Sequence, residues 1–255
     1  MLILLPPSEG KSAAAKGDPL DLAGLAFPEL AEARAEVLDA LEKTSAHEDA
    51  HAILGVGASL ADEIRRNLLL RDSPAAPAHA IYTGVLYDAL GYRTMTAAQK
   101  RKTDAAVVVV SGLWGAIGFG DTIPAYRLSM SVDLPGIGKL TAFWRSRLAS
   151  VLDARAGGSL VVDCRSSSYA AVWSPSTERT VAVNVLQERN GKRTVVSHFA
   201  KHTRGELARH LLTRRGKQPE TPAHLLRAAS ELWTCELTPA NTRRAAQLNI
   251  ILAAG

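Results

Sequence analysis

Four consecutive valines at positions 107–110 constrain this chain more than any other feature. β-Branched side chains are stiff at χ1 and pack well on a pleated surface. A run of them with no polar alternation has no face to offer water, so it predicts a strand buried on both sides. Residues 2–5 repeat the pattern and are stopped by Pro6 and Pro7. Residues 160–163 make a third such run.

Helical spacing fills the intervals. Leu30, Val37, Leu38 and Leu41 recur at that period between residues 28 and 43. A capping box, Ser45 to Glu48, predicts a second helix, and residues 59–71 a third. Further helices are expected at 140–154, 205–214 and 223–233. Residues 181–186 and 194–200 read as a strand pair around the turn signal Asn190-Gly191, and 248–252 as a last strand. Interleaving of this kind predicts an α/β (α+β) fold, with a central mixed β-sheet flanked by helices in one compact domain over 1–255.

Composition enters as an exclusion. Hydrophobic residues make up 47% of the chain, which is globular rather than disordered composition. Cys164 and Cys235 are too far apart for a CxxC pair, so a reduced, cytoplasmic setting is expected. The apolar N-terminus lacks a basic flank and a cleavage pattern, and no stretch nears the ~20 residues of a membrane span. No membrane partner is expected, and a monomer is.

Charge is unevenly placed. Residues 1–63 hold 12 acidic and 4 basic side chains, so within a net charge of +5 the remainder carries an excess of 13 positive charges. Eight Lys/Arg residues and three histidines against the single acid Glu206 fall between residues 192 and 217. His198, Lys201, His202 and Arg204 cluster where a strand is expected to pass into a helix, with Arg209 farther along it. Cations at a helix N-terminus oppose the dipole, which favours a bound anion there. This segment is expected to hold a polyanion.

Other motifs carry less. His47-Glu-Asp-Ala-His51 has the HExxH spacing, but the residues before it are polar and no third ligand follows, so no metal is expected. Gly10-Lys11-Ser12 lacks the first glycine of a P-loop, and the glycines of 112–120 miss the dinucleotide fingerprint, so no cofactor is expected. Leu134-Pro-Gly136-Ile-Gly138-Lys139 and the helix after it read as a helix-hairpin-helix, whose hairpin amides would face a phosphate. An ordinary turn before an amphipathic helix explains the same residues.

Several segments, in order, resemble the YaaA peroxide-stress family. They are residues 2–5 with Ser8-Glu9-Gly10-Lys11; Tyr82-Thr83-Gly84; Ser111-Gly-Leu-Trp114-Gly115; Pro124-Ala-Tyr126-Arg127-Leu-Ser-Met130; Phe143-Trp144; and residues 197–205. Around Tyr169 the run Arg165-Ser-Ser-Ser-Tyr169 departs from that pattern, as does Pro-Ser-Glu-Gly-Lys at the N-terminus. The resemblance implies a positively charged cleft that binds duplex or branched DNA, and a role in limiting damage from hydrogen peroxide and free iron. Lys201, Arg204 and Lys139 would then contact phosphates, and Ser8, Glu9, Thr83, Ser111 and Trp114 would line the cleft. The competing expectation is an enzyme acting on a nucleotide or other small phosphorylated substrate, with Lys11, Tyr126, Arg127 and Tyr169 as its catalytic groups.

Overall fold

The valine run and the two leucine- and valine-rich runs lie side by side. In the computed structural model, which describes residues 1–189, 192–195 and 197–253, β1 (Leu2–Leu5) is flanked in parallel by β2 (Val107–Ser111) and by β4 (Val161–Asp163). Ile3 pairs with Val107 and Leu2 with Val161. Every residue of β1 and β2 is buried, as strands covered on both faces must be.

The remaining strands extend this centre. β3 (Gly115–Gly118) folds back antiparallel on β2, while β5 (Thr180–Arg189) and β8 (Ala246–Ala253) continue the parallel set beyond β4. β7 (Thr234–Thr238) closes the far edge antiparallel to β8. β4 is short, so beyond Ala182 the free side of β5 is taken by β6 (Lys192–Val195), again antiparallel. The order is β7-β8-β5-β4-β1-β2-β3, one α/β domain with a central mixed sheet. The Asn190-Gly191 turn lies outside the described residues.

The principal helices are α1 (Ala31–Ser45), α2 (Ala61–Asn67), α3 (Val85–Leu90), α4 (Ala97–Ala106), α5 (Leu140–Ala156), α6 (Ser197–Thr213) and α7 (Pro222–Ala229). Among the departures from the sequence expectation, three bear on the candidate site. Ser45 ends α1 rather than opening a helix; it is buried and accepts a hydrogen bond from Asn67 Nδ2, and the next short helix, Ala50–Leu54, has no side-chain cap. Residues 197–200, expected in a strand, begin α6, because Ala200, Thr203, Leu207 and Leu211 bury one helical face. Lys201 and Arg204 therefore lie past the first helical turn.

The third concerns the hairpin at 134–138. It joins two-residue strands, Asp133–Leu134 and Gly138–Lys139, and no helix precedes it after α4. A two-stranded ribbon leads into α5, in place of the first helix of a helix-hairpin-helix. Gly136 and Gly138 both take positive φ, which the tight ribbon needs.

Candidate functional site

Parallel strands end at one edge, and there the chain must leave the sheet through loops that can carry chemistry. Three loops do so from β1, β2 and β4. The loop after β1 carries Ser8, Glu9 and Lys11. Ser8 Oγ accepts from the Thr83 amide at 3.0 Å, and Lys11 forms a bridge to Tyr82, so this loop is tied to the 82–84 segment.

Lys11 curls back on its own loop. Its Nζ donates to the Ser8 carbonyl at 2.8 Å and lies 4.2 Å from the centre of the Tyr126 ring. The residue is partly exposed while its ammonium is surrounded by protein. Burial pulls its pKa down to about 7; Glu9 and Glu63 oppose the fall and Arg127 adds to it.

Behind Lys11 runs a chain of hydroxyls. Ser111 Oγ accepts from the amides of Leu113 (3.2 Å) and Trp114 (3.1 Å), which fills its lone pairs. Its proton therefore goes to Tyr126 Oη, 2.6 Å away, and Tyr126 in turn donates to Tyr82 Oη at 3.0 Å. Burial holds the Tyr82 and Tyr126 phenols well above their ordinary pKa, so both stay protonated. The loop behind them is locked. Trp144 Nε1 donates to the Gly112 carbonyl at 2.8 Å, and a Cβ on Gly115 would lie 2.5 Å from the Trp144 ring. Arg34, fully buried, holds the Trp114 and Ala116 carbonyls.

Arg127 stands at the mouth. Its guanidinium lies 3.3 Å from the carboxylates of both Glu9 and Glu63. Asn67, at the end of α2 and fully buried, fixes its backbone, accepting from the Arg127 amide at 2.8 Å and donating to its carbonyl at 2.9 Å. A cleft of about 330 Å³ is lined here by Glu9, Arg127, Ser129, Ser131 and Asp133. Tyr169, whose hydroxyl accepts from the Met130 amide at 3.4 Å, adjoins it; burial first, and Glu9 second, push its pKa up to about 12. The segment carrying Tyr169 is pinned by Arg165, which grips Asp163 through two nitrogens and donates to the carbonyls of Tyr169 and Trp173.

Lys11, Tyr126, Arg127, Glu9 and Tyr169 thus converge from three segments distant in sequence. Ser111 and Trp114 lie behind Tyr126, fully buried, and do not reach the opening. Lys139 is exposed, and its ladder partner Asp133 lines the cleft. Lys201 is exposed on α6. The two arginines of that helix have internal partners: Arg204 donates twice to the Val183 carbonyl and Arg209 to the carbonyls of Leu90 and Gly91, while His202 faces Glu206 at 3.2 Å. The His198 side chain lies outside the described residues. Three contributors escaped the sequence reading: Glu63, Asn67 and the phenol of Tyr82.

Cys164 is buried, and burial pushes its thiol up to about 12, which suits core packing rather than nucleophilic attack. His47 sits in a turn and His51 in the following short helix, so the HExxH spacing does not fall on one helix. Among the described residues no group of three potential metal ligands forms, and no helix is long and apolar enough to cross a membrane.

The chain is 47% identical over 237 residues to the UPF0246 protein SCO2297 of Streptomyces coelicolor, covering 91% of this chain and 90% of that one. It is 43% identical over 216 residues to UPF0246 protein CE1889 of Corynebacterium efficiens, covering 84% and 85%. It also matches UPF0246 protein Rsph17029_0026 of Cereibacter sphaeroides at 37% identity, over 57% of this chain and 60% of that one. With the family model for peroxide stress protein YaaA matching residues 1–234, the chain belongs to the YaaA peroxide-stress (UPF0246) family.

Proposed function

We propose that the protein serves the peroxide-stress response by binding DNA along the C-terminal edge of its parallel strands, limiting damage from hydrogen peroxide and free iron. The observation that supports this best is the exposed Lys139 beside the cleft at that edge, with Arg127 at the cleft's mouth. Lys201, exposed on α6 one turn before the Arg204 that bonds β5, extends the cationic surface. Backbone phosphates are recognised by such cations without regard to sequence.

Fluorescence anisotropy with labelled duplex and branched DNA tests the reading. Affinity should fall steeply between about 50 and 200 mM salt, and Lys139→Ala with Lys201→Ala should each reduce the log–log slope by about one. An affinity indifferent to salt would sink it.

One observation favours a second reading, an enzyme acting on a nucleotide or other small phosphorylated substrate. The Lys11 amine, with a pKa near 7, lies over the Tyr126 ring, and an amine with that pKa suits general acid–base work. Thermal-shift measurements with ATP, other nucleotides and short duplexes separate the two: stabilisation by a mononucleotide alone supports the enzyme.

A further inference from the structure

A second cavity, of about 450 Å³, shares Tyr82 and Thr83 with the segment that ties down the Lys11 loop. Its walls are rings: His79, Tyr82, Tyr87, Tyr92 and Phe119, with the charged Asp88 and Arg93 also lining it. Ligand pockets of roughly 300–1,000 Å³ with apolar walls and a few fixed polar groups are the common form of small-molecule site. We propose that this cavity binds a planar heteroaromatic ring, a nucleobase, with its amino edge toward Asp88. The proposal rests on the nucleic-acid reading above and says where a single base would lodge.

The walls are rigid. Tyr82, Tyr87 and Phe119 belong to the core, and Tyr87 Oη donates to the Pro6 carbonyl at 2.7 Å. Tyr92 is held by its hydroxyl, 2.9 Å from both Asp104 oxygens, and His79 stacks on it at 4.1 Å with the planes 27° apart. The turn that carries Tyr92 is anchored from behind. Arg209 Nη1 donates to the carbonyls of Leu90 (3.1 Å) and Gly91 (2.9 Å), and a Cβ on Gly91 would lie 2.6 Å from that nitrogen. Arg209, expected to touch a phosphate, thus serves as a strut for this cavity.

The chemistry suits an uncharged ring. Burial lowers the pKa of His79, more than Asp104 raises it, so the imidazole is neutral at neutral pH and adds an aromatic wall. Aromatic platforms accept any base, because every base has a π-face. Asp88 is exposed at its helix surface and, ionised, can only accept hydrogen bonds. Adenine and cytosine, which carry an exocyclic amine, should therefore be held better than uracil, which has none.

NMR titration of the full chain with adenosine, cytidine, uridine and ribose 5-phosphate provides the test. These nucleosides are uncharged, so binding does not depend on the cationic cleft. Adenosine should shift the His79 and Tyr92 ring signals saturably, and Asp88→Asn should weaken adenosine about tenfold while leaving uridine and the thermal midpoint unchanged. His79→Leu should weaken both nucleosides. A single-stranded oligonucleotide that shifts the same rings when a blunt duplex does not identifies the source as an unpaired base; shifts from mononucleosides only identify a free nucleotide. No adenosine binding at millimolar concentration overturns the base site while leaving salt-dependent DNA binding intact. Equal shifts from ribose 5-phosphate overturn it too. Saturable adenosine binding without any DNA affinity sinks the DNA reading instead and leaves the base site standing.

Discussion

Lys11 and Arg204 are both cations at the C-terminal edge of the same sheet, yet their surroundings are opposed. Arg204 comes from the segment with the highest density of positive charge, and its guanidinium is bonded to a strand carbonyl. Lys11 comes from the acidic first quarter of the chain, and its amine lies against an aromatic ring with its pKa near 7. Local charge density therefore says little about which cation is available. A guanidinium offers several donors and readily completes a backbone ladder. An ammonium enclosed by protein keeps its reactivity, because burial favours the neutral amine.

The packing that commits α6 to structure can be broken at one position. Gly205 sits where α6 crosses α3, and a Cβ there would lie 2.1 Å from the Leu86 carbonyl oxygen and 2.9 Å from Ala89 Cβ. Alanine is the better helix former by about 1 kcal/mol, so any loss must come from overpacking. Gly205→Ala should cost about 3 kcal/mol, at the upper end of overpacking effects, and lower Tm by roughly 6–12 °C. An unchanged Tm would mean that α3 and α6 do not meet closely and that the helix is free to act as a binding surface.

Lys11 offers the opposite signature, a dependence on pH. Its folded pKa, about 7, lies below the ordinary lysine value of 10.5. Below pH 7 both states are protonated, and the folded state bears the full cost of the buried charge. Between pH 7 and 10 the unfolded chain binds more protons, so stability must rise with pH, by at most about 1.4 kcal/mol per unit. Chemical denaturation between pH 7 and 9.5 should show wild type gaining on Lys11→Met throughout that window. Parallel profiles would mean that the amine is hydrated and unshifted.

The contrast also marks what the sequence could show. The central strands were legible because burial on both faces leaves only one composition, as in residues 2–5 and 107–110. The strand β3 was not: Gly115–Gly118 reads as a glycine-rich loop, and its pairing depends on Trp144 filling the space that a side chain at Gly115 would need. At the site, Lys11 and Arg127 were legible as charged residues beyond strand ends. Asn67 was not, since its role consists of two hydrogen bonds to a backbone 60 residues away. Nor can charge counting show that Arg204 faces a carbonyl, because that follows from where β4 stops.

That last point gives the finest test. β4 pairs with β5 only as far as Ala182, so the next carbonyl, that of Val183, lies just past the last β4–β5 pair. Arg204 Nε and Nη2 fill the gap at 3.1 and 2.8 Å. Arg204→Met should leave that carbonyl unsatisfied in a residue only 1% exposed, and cost about 1–2 kcal/mol. Lys201, one turn earlier and exposed, should be replaceable by alanine within about 0.5 kcal/mol. In DNA binding the order should reverse: Lys201→Ala lowers affinity at unchanged stability, whereas Arg204→Met keeps its affinity when measured well below its Tm. If both variants lose affinity alike, Arg204 reaches the ligand and its hold on Val183 must be released on binding.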